Sequence, residues 1–100
     1  MPEYIIKMYK AAVKDYEELI RKGMKDKADT ILTLLSENPF KTPPKYEELS
    51  GQYKGVYSRR LNRQDRIVYE VRDTDDPDVK EVVIIRMSTH YKGILPIVFF

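Results

Sequence analysis

The sequence has no cysteine, no tryptophan and a single histidine. Without cysteine the chain forms no disulfide, binds no zinc through thiolates and uses no cysteine nucleophile. A metal site would consist almost entirely of carboxylates, and no acidic residues stand at a recognisable ligand spacing, so we expect neither a metal nor another cofactor. The N-terminal residues lack a basic stretch followed by a long apolar run. This predicts neither a secretory signal nor a membrane span, and the cytosol is the expected location.

The net charge is only +2, but basic residues concentrate in the middle of the chain. Residues 41–72 contain eight basic and four acidic residues, whereas residues 73–81 contain five acids and one lysine. Tyrosines also occur within the basic segment, at Tyr46, Tyr53, Tyr57 and Tyr69. This combination suits nucleic acid, because guanidinium groups bind phosphates and aromatic rings stack on bases. The structural alternative is that these are solvated strand arginines and core tyrosines.

Hydrophobic periodicity predicts one strand, two helices and three further strands. The expected ranges are a strand at 4–9, helices at 10–22 and 26–38, and strands at 56–61, 66–72 and 79–87. Two amphipathic helices with a short connection predict an antiparallel helix pair on one face of a mainly antiparallel sheet, in the order β-α-α-β-β-β. We therefore expect a single α+β domain covering residues 1–100.

Local signals refine this outline. The predicted apolar stripes are Val13, Tyr16, Leu19 and Ile20 in the first helix, and Ala28, Ile31, Leu32 and Leu35 in the second. Gly23 marks the end of the first helix, and Asp26 with Asp29 resembles a capping box for the second. Residues 39–54 contain three prolines and predict an extended connection. The apolar run 82–85 predicts a central strand that is buried on both faces.

Candidate reactive residues lie in the second half of the chain. His90 is the only side chain that titrates near neutral pH, and Glu47 and Glu48 lie together in the connection. Each has an ordinary structural explanation by itself, and spacing does not choose between the two acids. Together with the arginines they supply what metal-free RNA cleavage needs: a base for the 2′-hydroxyl, an acid for the leaving 5′-oxygen and positive charge for the phosphorane.

The order of residues after position 49 resembles the YoeB (Txe/YoeB) family of bacterial toxins in the RelE superfamily. The matching residues are Val56-Tyr57-Ser58-Arg59-Arg60-Leu61-Asn62, Arg66-Ile67-Val68-Tyr69-Glu70-Val71 and His90-Tyr91. The resemblance extends over residues 1–91. It implies a RelE-like fold and a ribosome-dependent endoribonuclease that cleaves mRNA and so inhibits translation. Such a protein is the toxin of a type II toxin–antitoxin module and is inhibited by a cognate antitoxin.

Carried over residue by residue, the resemblance implies four catalytic residues: Glu47, Arg66, His90 and Tyr91. It selects Glu47 rather than Glu48 as the base for the 2′-hydroxyl. Arg66 would stabilise the phosphorane, His90 would protonate the leaving oxygen, and Tyr91 would position the phosphate or base. We expect the activity of such a carboxylate–imidazole pair to peak near neutral pH.

The predicted RNA-binding and phosphate-binding residues are Arg59, Arg60, Arg86 and Lys54. The resemblance places a phosphate-facing position of the family on Arg60. The family usually has a basic residue two positions before its histidine, where this chain has Ser88, and Arg86 would supply the missing charge if the strand is straight.

The chain also departs from the family by continuing as an apolar extension over residues 92–100. Such a segment is expected to be buried. It would form an added edge strand, a contact in a homodimer or a flap over His90, and Pro96 argues against a central strand.

Two other functions compete with RNA cleavage. One is a catalytically silent RelE-like module that binds the antitoxin–operator complex or the ribosome. The other is a DNA-binding domain, which the lack of helix-turn-helix spacing disfavours. The partners implied by the resemblance are a YefM/Phd-like antitoxin, the ribosome with its mRNA, and operator DNA only through the antitoxin, with no membrane partner.

Overall fold

The computed structural model describes residues 2–49 and 51–87. Its helices are α1 (Lys10–Arg21) and α2 (Lys25–Glu37), and its strands are β1 (Glu3–Met8), β2 (Tyr46–Glu48), β3 (Val56–Arg60), β4 (Arg66–Asp73) and β5 (Val79–Arg86). A short 3₁₀ turn, Gly51–Tyr53, lies between β2 and β3. Within these residues, neither helix is long and apolar enough to cross a membrane.

The five strands form one sheet in the order β1-β5-β4-β3-β2. Only β1 and β5 are parallel, and the other three pairs are antiparallel. Both helices pack on the same face of this sheet, which confirms the predicted α+β fold. The difference from the prediction is β2, a three-residue strand inside the expected connection. Its short polar sequence carries no strand periodicity, and its pairing with β3 forms it.

Strand β5 lies between β1 and β4, and its residues 82–85 are at most 8% exposed. This confirms the prediction of a central strand that is buried on both faces. Alternate residues of β5 pack on the helices, because Val82 and Ile84 belong to the main core whereas Val83 and Ile85 point to the opposite face.

The predicted apolar stripe of α1 is confirmed in part. Leu19 is buried and Tyr16 packs against the core, as predicted, whereas Val13 and Ile20 are 41% and 39% exposed. The buried face is completed by the small Ala12, which the prediction omitted because it favoured large side chains. In α2 the prediction is confirmed, since Ala28, Ile31 and Leu35 are buried and Leu32 packs against them.

The connection between the helices begins with the predicted glycine stop. Gly23 has a φ of 78°, its N–H donates to the Ile20 carbonyl, and the Met24 N–H donates to the Leu19 carbonyl. These two bonds form a Schellman motif, in which a left-handed glycine satisfies the last carbonyls of the helix.

The predicted capping box at the start of α2 is wrong. The helix begins at Lys25, one residue before Asp26, and no side chain caps its first turn. Asp29 instead accepts hydrogen bonds from the Tyr16 hydroxyl (2.5 Å) and the Lys25 ammonium (2.6 Å). The bond to Asp29 raises the pKa of Tyr16 and joins α1 to α2. The carboxylate therefore serves the contact between the helices rather than the helix end.

Candidate functional site

The sheet face opposite the helices carries polar side chains from β2, β3 and β4. Ile67 and Tyr69 of β4 pack in the core beneath the helices, so Arg66 points to the other face. The register places Glu47 of β2 directly opposite Ser58 of β3. Three neighbouring strands thus bring an acid, a hydroxyl and a guanidinium group to one place.

Arg66 is held in position by Ser58. Its Nε donates a 2.6 Å hydrogen bond to the Ser58 Oγ, and its Nη2 lies 3.6 Å from the Glu47 Oε2. The Arg66 side chain is 18% exposed, whereas that of Glu47 is 59% exposed. At 3.6 Å the two groups form an ion pair, and the exposed carboxylate remains accessible to a ligand.

These residues open into a pocket of about 260 Å³, the Glu47 pocket, which is lined by Pro44, Lys45, Glu47, Arg60 and Arg66. Arg60 is exposed and pairs in register with Arg66. Three cations thus surround one carboxylate. A concave site with this excess of positive charge attracts an anion such as a phosphate, and its acid can act as a base beside that anion.

Arg59 does not belong to this pocket, which corrects the prediction that it contacts phosphate. Arg59 is fully buried. Its guanidinium donates to the Tyr69 hydroxyl (3.0 Å) and to the carbonyls of Pro39 (2.8 Å), Lys41 (2.7 Å) and Pro44. It also lies 5.0 Å from the centre of the Tyr46 ring. Because neighbouring strand residues point to opposite faces, Arg59 is directed under the connection while Arg60 is exposed.

Arg86 is also directed away from the Glu47 pocket, contrary to the prediction. It alternates with the core residues Val82 and Ile84, so it lies on the helix face of β5. Its Nε and Nη2 donate to the Asp15 carboxylate of α1 at 2.7 and 3.1 Å. These bonds raise the pKa of Arg86, and the pair fastens α1 to the end of the central strand.

Glu48 is the last residue of β2, and Lys54 lies in the turn that leads from there to β3. Lys54 is exposed and is not among the residues that line the Glu47 pocket. Glu48 accepts a 2.9 Å hydrogen bond from the Gly55 N–H, so it stabilises the turn. His90, Tyr91, Ser88 and the extension 92–100 lie outside the described residues. In the described ranges, no group of three or more acidic or histidine side chains is placed to hold a metal ion.

A family model described as a YoeB-like toxin of bacterial type II toxin–antitoxin systems matches residues 8–91. This chain belongs to the YoeB-like toxin family. The resemblance stated from the sequence is thereby confirmed.

Solved structures of similar proteins agree with this assignment. The YoeB/ParE toxin from Agrobacterium tumefaciens has a TM-score of 0.75 and 26% identity, over 87% of this chain and 99% of that chain. The YoeB dimer from Staphylococcus aureus has a TM-score of 0.70 and 28% identity, over 89% and 99%. The toxin in the heterotetrameric YoeB–YefM complex from Staphylococcus aureus has a TM-score of 0.68 and 30% identity, over 86% and 95%. No curated protein sequence matches this chain.

Two residues with a role at this site of the YoeB-like toxin were not predicted as site residues from its sequence. Ser58 holds Arg66, and Lys45 adds a cation to the Glu47 pocket. Strand alternation offered a signal for Ser58. In a strand, Ser58 and Arg60 point to the same face of the sheet, and Arg59 points to the other face. Lys45 was counted in the basic segment, but its place beside Glu47 gave no signal, since it precedes a strand that the sequence does not indicate.

Proposed function

We propose that this YoeB-like toxin is an endoribonuclease that cleaves mRNA in the ribosomal A site and so inhibits translation. The supporting observation is the exposed Glu47 carboxylate beside Arg66, which Ser58 orients, within a pocket that also contains Arg60. When a ribose 2′-hydroxyl attacks the adjacent phosphate, the reaction requires a base for the hydroxyl proton and a fixed positive charge near the phosphate.

In the proposed reaction, Glu47 removes the proton of the 2′-hydroxyl, and the 2′-oxygen bonds to the adjacent phosphorus. Arg66 and Arg60 stabilise the negative charge that develops on the phosphorane. The bond from phosphorus to the 5′-oxygen then breaks, and His90 gives that oxygen a proton. The products are a 2′,3′-cyclic phosphate and a 5′-hydroxyl, and no metal ion takes part. Tyr91 would position the phosphate or base.

We also propose that the ribosome is needed to align the message. Glu47 is 59% exposed, so the site is shallow and does not fix the geometry of the RNA by itself. By holding the 2′-oxygen in line with the phosphate, the ribosome would lower the activation barrier of the cleavage. The contacts are mainly with phosphates, so association should weaken as salt increases.

The proposed inhibitor is a cognate antitoxin of the YefM type that covers the cationic face with an acidic and apolar segment. The Staphylococcus aureus YoeB has been solved with YefM and also as a dimer. We extend these two kinds of association to this toxin, which would act in the cytosol and contact operator DNA through its antitoxin.

The test is induced expression in a bacterial host, with message cleavage on translating ribosomes read by primer extension. Wild type should arrest growth and cut at discrete in-frame positions, and Glu47→Gln and His90→Ala should do neither. Glu48→Gln is the matched control, since the neighbouring acid supports only the turn and should leave cleavage unchanged.

Two outcomes would contradict the proposal. If wild type and Glu47→Gln both arrest growth without cutting any message, the chain is a silent binding module. If Glu48→Gln abolishes cleavage while Glu47→Gln preserves it, the assignment of the base is wrong.

A further inference from the structure

A second depression, the α2 groove, adjoins the Glu47 pocket. It has a volume of about 450 Å³, and its lining includes Lys27, Ile31, Pro44, Arg60, Leu61 and Arg63. Pro44 and Arg60 line both depressions, so the two adjoin each other. We propose that the α2 groove binds the nucleotide next to the scissile phosphate, with that nucleotide's phosphate at Arg63 and Lys27. This inference rests on the proposed RNA cleavage and adds a binding subsite to it.

The charge of the groove favours an anionic ligand. Lys27, Arg60 and Arg63 contribute three cations, and no acid lines the groove. All three are exposed, and within residues 2–49 and 51–87 none of them forms an ion pair. The nearby Lys25 differs, because Asp29 pairs with it at 2.6 Å. Cations that form no ion pair within the protein remain available for phosphate contacts.

The floor of the groove is apolar. Ile31 and Leu61 are 7% and 1% exposed, and the half-buried Pro44 forms the edge shared with the Glu47 pocket. An apolar floor with a cationic rim fits a ribose or base beside its phosphate. The volume also falls within the range of about 300–1,000 Å³ that is common for small-molecule sites.

The polar side chains of the groove give little means of reading a base. The Asn62 amide donates to Asp65 at 2.8 Å, and its oxygen accepts from the N–H groups of Gln64 and Asp65. The Thr30 hydroxyl donates to the Asp26 carbonyl at 2.8 Å. We therefore infer a subsite that binds any nucleotide through its phosphate and apolar surface, with weak base preference.

Proximity to the Glu47 pocket favours RNA over a peptide as the occupant. An RNA strand whose scissile phosphate lies between Arg60 and Arg66 continues beyond that phosphate on both sides, and the α2 groove adjoins the pocket at Pro44 and Arg60. An acidic peptide needs no connection to the Glu47 pocket.

The test measures affinity for a single-stranded RNA pentanucleotide at low salt, with Glu47→Gln present in every sample so that no strand is cut. Adding Lys27→Ala and Arg63→Ala together should weaken binding about tenfold. The slope of log affinity against log salt should become shallower by about 0.7, since Lys27 and Arg63 contact one phosphate and each lost single-strand phosphate contact removes about 0.7. Changing the base sequence should alter affinity less than the double variant does.

Lys14→Ala is the matched control. Lys14 is an exposed lysine of α1 outside both depressions, so its variant should leave affinity and slope unchanged.

Unchanged RNA affinity in the double variant overturns the inference, as does failure of the pentanucleotide to bind at all. Weaker antitoxin binding with unchanged RNA affinity also overturns it and places the groove in a protein interface. If the double variant binds RNA normally while wild type still cuts messages, only the subsite is wrong. If wild type cuts nothing, the proposed function is wrong.

Discussion

Replacing Arg59 with lysine should destabilise the fold strongly without changing the proposed RNA binding of the folded protein. The guanidinium spans four acceptors: the Tyr69 hydroxyl and the carbonyls of Pro39, Lys41 and Pro44. A lysine ammonium is a compact point charge whose donors diverge from one atom, so it reaches about two of these acceptors at once.

The magnitude follows from the acceptors that remain unbonded. Each buried carbonyl that loses its donor costs about 1–3 kcal/mol, so two such groups give a loss of about 3 kcal/mol. That is a large part of a typical stability of about 5–15 kcal/mol. For a chain of this length it corresponds to a decrease in Tm of roughly 12–24 °C.

The assay is thermal unfolding followed by circular dichroism, with Arg60→Lys as the matched control on the same strand. Arg60 is exposed and makes no hydrogen bond within the described residues, so its variant should melt within about 2 °C of wild type. Folded Arg59→Lys should keep the wild-type salt dependence of RNA binding. The reasoning is refuted if Arg59→Lys melts like Arg60→Lys and has a shallower salt dependence, because Arg59 would then contact phosphate.

Two further stability predictions concern the other buried polar contacts. Asp15→Ala should lower the free energy of unfolding in urea by about 3 kcal/mol, because the Arg86 side chain, which is 15% exposed, loses this carboxylate. The control Glu18→Ala, on the same helix, should lower it by less than about 1 kcal/mol. Equal losses in the two variants would contradict the role of the pair. Tyr69→Phe should cost about 1–2 kcal/mol at neutral pH. Burial raises the pKa of Tyr69, so its stabilisation is complete below the ordinary tyrosine pKa of about 10 and decreases as pH rises through the higher folded value. The difference between wild type and Tyr69→Phe should therefore shrink above about pH 10, and a constant difference would contradict the assignment.

The elements of the fold were predictable where periodicity is strong. The run 82–85 is apolar on both faces, and only a central strand satisfies that pattern. β2 was not predictable, because its three residues have no pattern of their own and form a strand only by pairing with β3. The position of Asp29 illustrates the same limit, since a local capping pattern yielded to a contact with Tyr16 of the other helix.

The sequence predicted the residue types of the site well, but it predicted less well the direction in which each side chain points. The resemblance selected Glu47 and Arg66, and the fold brings their side chains within 3.6 Å of each other. Arg59 and Arg86 were predicted as phosphate ligands, although both are directed toward the helix face. Arg59 entered through the count of charges in the basic segment, and such a count ignores that adjacent strand residues cannot face the same ligand. Arg86 entered as a substitute for the charge missing at Ser88, but the Asp15 carboxylate binds it on the helix face.

The two faces of the sheet explain why basic residues close in sequence have opposite roles. Under the helices and the connection, Arg59 is enclosed by neutral acceptors and Arg86 by a carboxylate, so their charges organise the fold. On the other face and its rim, Arg60 and Lys45 remain exposed, so their charges are available to a ligand. Arg66 lies between these extremes, because Ser58 orients it while it still borders the pocket. The positive charge available to an anionic ligand is therefore set by the sheet's register, and it is smaller than the number of basic residues in the segment suggests.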